Sequence, residues 1–172
     1  GYPGISKQVI RMLEKWRLKG NRKGDAVKRK DPKAGPLTSM ELLAFNEGVV
    51  QAFEKDSLSL YELSLCLLTS NTGRRPIQIT HIRVMDLVRG KNEDGDFVYR
   101  LNVPRAKHGV GFRTIFKVFA ITEELWEILC AQSKNSIERV EENFNIQLQE
   151  SDRQQVPLFP DFNVVRKCAT VV

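Results

Sequence analysis

The run TGRRPIQITHIRVMDL (residues 72–87) decides the fold, because a glycine turn leads directly into an arginine and then an apolar helical segment. Thr72 and Gly73 end the apolar run before them and permit a tight turn, since glycine accepts left-handed backbone that other residues resist. Ile77, Ile79, Ile82 and Val84 then supply apolar contacts for the segment that follows. Arg75 is thereby aimed outward from a fixed base, with its five donors free for an oxyanion such as phosphate.

Upstream, two helices hold this turn in place. Thr38 with Glu41 forms a capping box, and the helix it starts carries Leu42, Leu43, Phe45, Val49, Val50 and Phe53 toward a core. Ser59 with Glu62 forms a second box and opens LYELSLCLLTS, so apolar around its circumference that it belongs at the centre of the domain. Downstream the pattern turns to strands. A short first strand is expected around residues 83–87, followed by the polar connection VRGKNEDGD. FVYRLNV then places Phe97, Tyr99, Leu101 and Val103 on one face. The loop PRAKHGVGFRT and the β-favouring run TIFKVFAI complete a three-stranded antiparallel sheet. Thr122 caps a further helix, TEELWEILCAQ, with Leu125, Trp126, Leu129 and Cys130 inward. The acidic segment SIERVEENFNIQLQESD and the proline-broken VPLFPDFN come next. The expected class is therefore α+β and mainly helical, with helices packed on a small three-stranded antiparallel sheet.

The 172 residues carry a net charge of +6, unevenly distributed. Residues 1–33 hold eleven Lys and Arg against three acids, and residues 74–117 hold ten against four. Residues 34–73 hold one against five and residues 118–172 five against nine, so two basic zones lie in an acidic frame. Such concentration favours a polyanionic partner. In the first zone, ISKQVIRMLEKWRL reads as a short helix with Ile5, Val9, Met12, Leu13 and Trp16 at helical spacing. After it, Gly20, Gly24, Pro32, Gly35 and Pro36 interrupt regular structure where Lys28, Arg29, Lys30 and other cations crowd, so residues 1–36 read as a basic arm or linker. No apolar run is long enough for a membrane span and the start lacks a signal-peptide centre, so a cytoplasmic protein is expected. Cys66, Cys130 and Cys168 show no CxxC pairing and only His81 and His108 could assist them, which argues against a disulfide framework or a metal site.

Thr72, Gly73, Arg75, Gln78, Ile79, Ile82, Arg83, Val84, Asp86 and Leu87 resemble the first catalytic box of the tyrosine recombinase (phage integrase) family, TGxRxxExxxLRxxDL. Gln78 stands at the usual acidic position, so carboxylate support of the arginine would become an amide hydrogen bond. A second likeness lies in RAKHGVGFRTIFKVFAI, where Lys107 matches the family's hairpin lysine and Arg113 the basic residue after it. DPKAGPLTSMEL is similar to the junction between the family's core-binding and catalytic domains. The resemblance implies the DNA breaking-rejoining fold, residues 37–172 as part of a catalytic domain, and residues 1–36 as a remnant of the core-binding domain. It implies cleavage and rejoining of double-stranded DNA through a 3′-phosphotyrosyl intermediate, without metal, cofactor or small-molecule substrate. Arg75 would bind the scissile phosphate and Lys107 would act as general acid. Arg74, Arg105, His108, Arg113, Lys28, Arg29 and Lys30 would contact DNA, and the complete protein would assemble as a homotetramer on paired sites.

The family also uses an HxxR box and a nucleophilic tyrosine after the sheet. The tyrosines here are Tyr2, Tyr61 and Tyr99, and neither His81 nor His108 is followed three residues later by arginine. The expectation is an integrase fragment comprising the front half of the catalytic domain and inactive alone. The alternative is a non-catalytic DNA-binding accessory or regulatory module on the same fold.

Overall fold

The structure, a computed structural model, describes residues 4, 6–16, 24–33, 35–106, 111 and 113–162. It divides into two compact units, Gly1–Ser39 and Met40–Val172.

In the first unit, α1 (Lys7–Lys15) starts where the Ser6 hydroxyl accepts the Val9 N–H at 3.3 Å. Its stripe of Val9, Met12 and Leu13, continued by Trp16, is exposed. Ile5 lies outside the described residues. The expected irregular linker contains one helical turn, α2 (Asp25–Lys28), entered through Gly24 in left-handed backbone and closed by an Arg29–Asp25 ion pair of 2.8 Å.

The second unit is α+β, and helices hold about half of all described residues. α3 (Ser39–Glu54) buries only Val49, while Leu43, Phe45, Val50 and Phe53, expected in the core, are exposed. The helix meets its neighbour along one narrow stripe, where the Ser70 hydroxyl donates to the Asn46 side chain at 2.7 Å. α4 (Leu60–Thr72) is central, as its all-round apolarity requires: Leu63, Ser64, Leu67, Leu68 and Thr72 are buried. Its capping box is complete. The Ser59 N–H donates to Glu62 at 2.8 Å and the Glu62 N–H to the Ser59 hydroxyl at 3.3 Å.

Gly73 ends α4 with φ +58, donating its N–H to the Thr69 carbonyl at 2.9 Å. The run after Arg75 is a single turn, α5 (Pro76–Ile79), with Ile79 and Ile82 buried and Ile77 exposed. The strand expected at residues 83–87 is instead a 3-10 turn, Val84–Asp86, because the Asp86 carboxylate accepts the Arg83 N–H at 2.8 Å and folds the chain back. The first strand, β1 (Leu87–Lys91), lies where a polar connection was expected. It is an edge strand, exposed beyond Leu87. β2 (Phe97–Pro104) pairs with it and with β3 (Phe116–Ile121), both antiparallel, giving the order β1-β2-β3. Tyr99, Leu101 and Val103 face the core and Phe97 is exposed.

α6 (Glu123–Phe144) starts at Thr122, whose hydroxyl accepts the Leu125 N–H at 3.3 Å, and runs through the apolar segment expected after the sheet and on into the first half of the acidic one. α7 (Glu150–Arg153) leads into VPLFP, which is buried at Val156, Leu158, Phe159 and Pro160 rather than merely irregular. Backbone bonds from Val84 to Val156, Met85 to Gln154 and Leu158 to Ile82 lace this segment to the end of the TGRRPIQITHIRVMDL run. Leu67, Leu68, Ile79, Ile82, Leu101, Val103, Leu125, Leu129 and Leu158 form one core. Among the described residues, no helix is long and apolar enough to cross a membrane.

Candidate nucleic-acid interface

The turn after α4 and the open end of the β2–β3 pair converge on one cleft. Gly73 reverses the chain at the top of the most buried helix, so Arg74 and Arg75 leave a base that cannot shift without disturbing the core. Pro76 fixes the backbone of the next turn at its first position, which leaves Arg75 extended at φ −68, ψ 144 and exposed. Gln78 ties this corner to the sheet. Its amide nitrogen donates to the Pro104 carbonyl at 3.2 Å, and its oxygen accepts the Arg75 N–H at 3.5 Å. This side-chain amide thus supports the backbone of Arg75.

The cleft, about 310 Å³ in volume, is lined by Arg74, Arg75, Gln78, Arg105, Ala106 and Lys117. Four of the six carry positive charge and none is acidic. Arg74 is held by its Nε–H, which donates to the Thr72 carbonyl at 3.0 Å, and by the Phe119 ring 5.2 Å from its guanidinium carbon. Lys117 Nζ lies 4.9 Å from the centre of the same ring. The guanidinium of Arg75 has no hydrogen-bond or ion-pair partner among the described residues, and neither does that of Arg105. Like charges gathered without counter-ions raise one another's energy, and an anion relieves it. Lys117 was not foreseen from the sequence, where it is one polar residue in a β-favouring run. Its strand register with Val103, which extends the core face of β2 toward Arg105, is the signal that finds it.

The other expected site residues divide. Arg113, expected to touch DNA, is turned inward with its side chain 9% exposed. Its two terminal nitrogens bond the Asp86 carboxylate at 2.8 and 2.9 Å, and one also donates to the His81 carbonyl. It anchors the chain entering β3 to the 3-10 turn and is not available to a ligand. Lys28, Arg29 and Lys30 are exposed on the first unit. Lys107 and His108 lie outside the described residues.

Compared with known protein families and with curated proteins, the chain matches none. Tyr61 and Tyr99 are both engaged by the fold. Burial raises the pKa of Tyr61, reinforced by Asp161, and the ring packs edge-on against Phe159 at 5.4 Å. The Tyr99 hydroxyl donates to Glu123, the main cause of its raised pKa. A phenol that must attack as a phenolate benefits from the opposite shift, so neither is set up as a nucleophile.

Proposed function

We propose that this chain carries the phosphate-gripping half of a DNA cleavage and rejoining site of the tyrosine recombinase type. The observation that carries the reading is the cleft, where Arg74, Arg75, Arg105 and Lys117 converge without an acid in the lining. The order of parts supports it: a central capped helix, an αL glycine, an arginine at a helix start, then a three-stranded antiparallel sheet whose last hairpin contains Lys107. On this reading residues 37–172 form part of a breaking-rejoining catalytic domain, and the basic residues before them add to the grip on duplex DNA.

The chemistry follows from the groups. Arg75 binds the two non-bridging oxygens of a phosphodiester and stabilises the charge that builds on them. A tyrosine hydroxyl from outside the described residues attacks phosphorus and gives its proton to solvent, the bond to the 5′ oxygen breaks, and Lys107 protonates that oxygen. The same lysine removes the proton when the 5′ hydroxyl attacks the phosphotyrosine to rejoin the strand. The phosphodiester energy is kept in the intermediate, so no cofactor takes part. The assembled enzyme works as a tetramer on paired sites in the cytoplasm.

A second reading, a non-catalytic DNA-binding module, has one observation in its favour: both described tyrosines serve the fold. Covalent capture separates the two. The protein with any residues encoded beyond Val172 is incubated with a nicked suicide duplex and run on a denaturing gel. A DNA-linked band that Arg75→Ala abolishes is the expected result; DNA binding without any covalent band would establish the module instead.

A further inference from the structure

The inner face of the sheet changes character along its length. Tyr99, Leu101 and Val103 of β2 are buried, yet Arg105, next on the same face, opens into the cleft. β3 follows the same course. Phe119 pairs with Leu101, Lys117 with Val103, and the Arg105 N–H donates to the Ile115 carbonyl at 2.8 Å. Lys117 therefore stands one two-residue step from the level of Arg105, roughly 7 Å along the strands. Arg74, drawn over Phe119, stands near the level one step further. The Lys117 Nζ reaches the same Phe119 ring, so two cations flank the level of Phe119 while Arg105 follows beyond Val103, and the basic lining extends along the strands as a row.

We propose that Arg105, Lys117 and Arg74 form a ladder that contacts the backbone phosphates of one strand beside the phosphate gripped by Arg75, with Lys117 a phosphate contact contributed by β3 itself. The proposal rests on the reading of the cleft as a DNA site and specifies how the duplex runs through it. A row of this kind binds a continuous backbone better than an isolated phosphate, because each step adds a counter-ion release. Phe119 is the spine of the row: its ring faces attract both Arg74 and Lys117 and keep them from folding away into solvent.

The test is the salt dependence of duplex binding by the chain and by its Lys117→Gln and Lys117→Arg variants, read by fluorescence anisotropy. Loss of one phosphate contact lowers the log–log slope by about 0.9, so a fourfold rise in NaCl weakens Lys117→Gln about 3.5-fold less than the parent chain. Lys117→Arg keeps the charge and the parent slope. A role confined to packing on Phe119 would lower the melting temperature of Lys117→Gln and leave its slope unchanged. A steep parent slope that Lys117→Gln preserves overturns the ladder while leaving the cleft as a DNA site. A flat parent slope overturns both.

Discussion

Removing Arg113 tests whether the 3-10 turn Val84–Asp86 and the strand that carries Lys117 are locked together from within. The Asp86 side chain is 4% exposed and accepts three hydrogen bonds, two from Arg113 and one from the Arg83 N–H. In Arg113→Met the carboxylate keeps one donor, the His81 carbonyl loses another, and the positive φ of +53 at residue 113 remains to be held without the pair. Breaking one side of a buried ion pair costs about 3–5 kcal/mol. At about 2–4 °C per kcal/mol for a chain of this size, the melting temperature should fall by roughly 6–20 °C. Replacing both partners, in Arg113→Met with Asp86→Leu, should recover much of the loss, since an apolar pair can replace a buried ionic one at little cost. Urea unfolding of the parent, the two single variants and the double variant gives the coupling energy directly. Single losses below about 1 kcal/mol, or losses that simply add in the double variant, would refute the lock. Because its guanidinium faces inward, Arg113→Met should also leave the salt slope of DNA binding unchanged.

Gly73→Ala should cost about 1–2 kcal/mol in urea unfolding. An added Cβ meets nothing within 4 Å there, so the cost is conformational, and Gly73→Asn should lose less. Ser59→Ala removes one arm of the α4 capping box and should cost about 1 kcal/mol. The Ser59 N–H and hydroxyl hold the Glu62 pKa below the usual carboxylate range, so that contribution is present at neutral pH and is lost as pH falls through the depressed value. The stability gap between the parent and Glu62→Gln should therefore close on acidification; a gap that persisted at low pH would contradict the box. On the proposed function, Lys107→Ala in the protein with any residues encoded beyond Val172 should slow cleavage of an ordinary substrate far more than one with a 5′-bridging sulfur, whose leaving group needs less protonation. Equal slowing of both would remove Lys107 as the acid.

How much of this could be read beforehand depends on where the signals lie. The α4 capping box, the glycine turn, β2 and the Thr122 cap were legible because each is a local device, a hydrogen bond or an alternation within a few residues. β1 was not. It is an exposed edge strand containing Gly90 and lacks the alternation that a half-buried strand displays, whereas residues 83–87, with apolar Val84 and Met85, look more like a strand in sequence. α6 looked like two segments because its second half buries polar groups. Gln132 and Ser136 both donate to the Leu158 carbonyl, at 3.1 and 2.9 Å, so apolar periodicity fails where the helix is most enclosed. Those same bonds explain why VPLFP is buried despite two prolines. At the site, Arg75 announced itself through its turn, and Arg74 and Arg105 through charge. The separation of Lys117 from Arg113 did not show in the sequence. Both are basic residues in one hairpin, and only strand register and the position of Asp86 send one outward and the other in.

The central claim is that a DNA phosphate sits in the cleft of Arg75. Arginine side-chain Nε–Hε resonances, followed by NMR as an unlabelled duplex is titrated into the isotope-labelled chain, test it most directly. The resonances of Arg74, Arg75 and Arg105 should shift on DNA addition and return as salt is raised, while that of Arg113, held by Asp86, should stay in place. DNA binding that leaves Arg75 unmoved, with the shifts confined to arginines elsewhere on the surface, would contradict the claim.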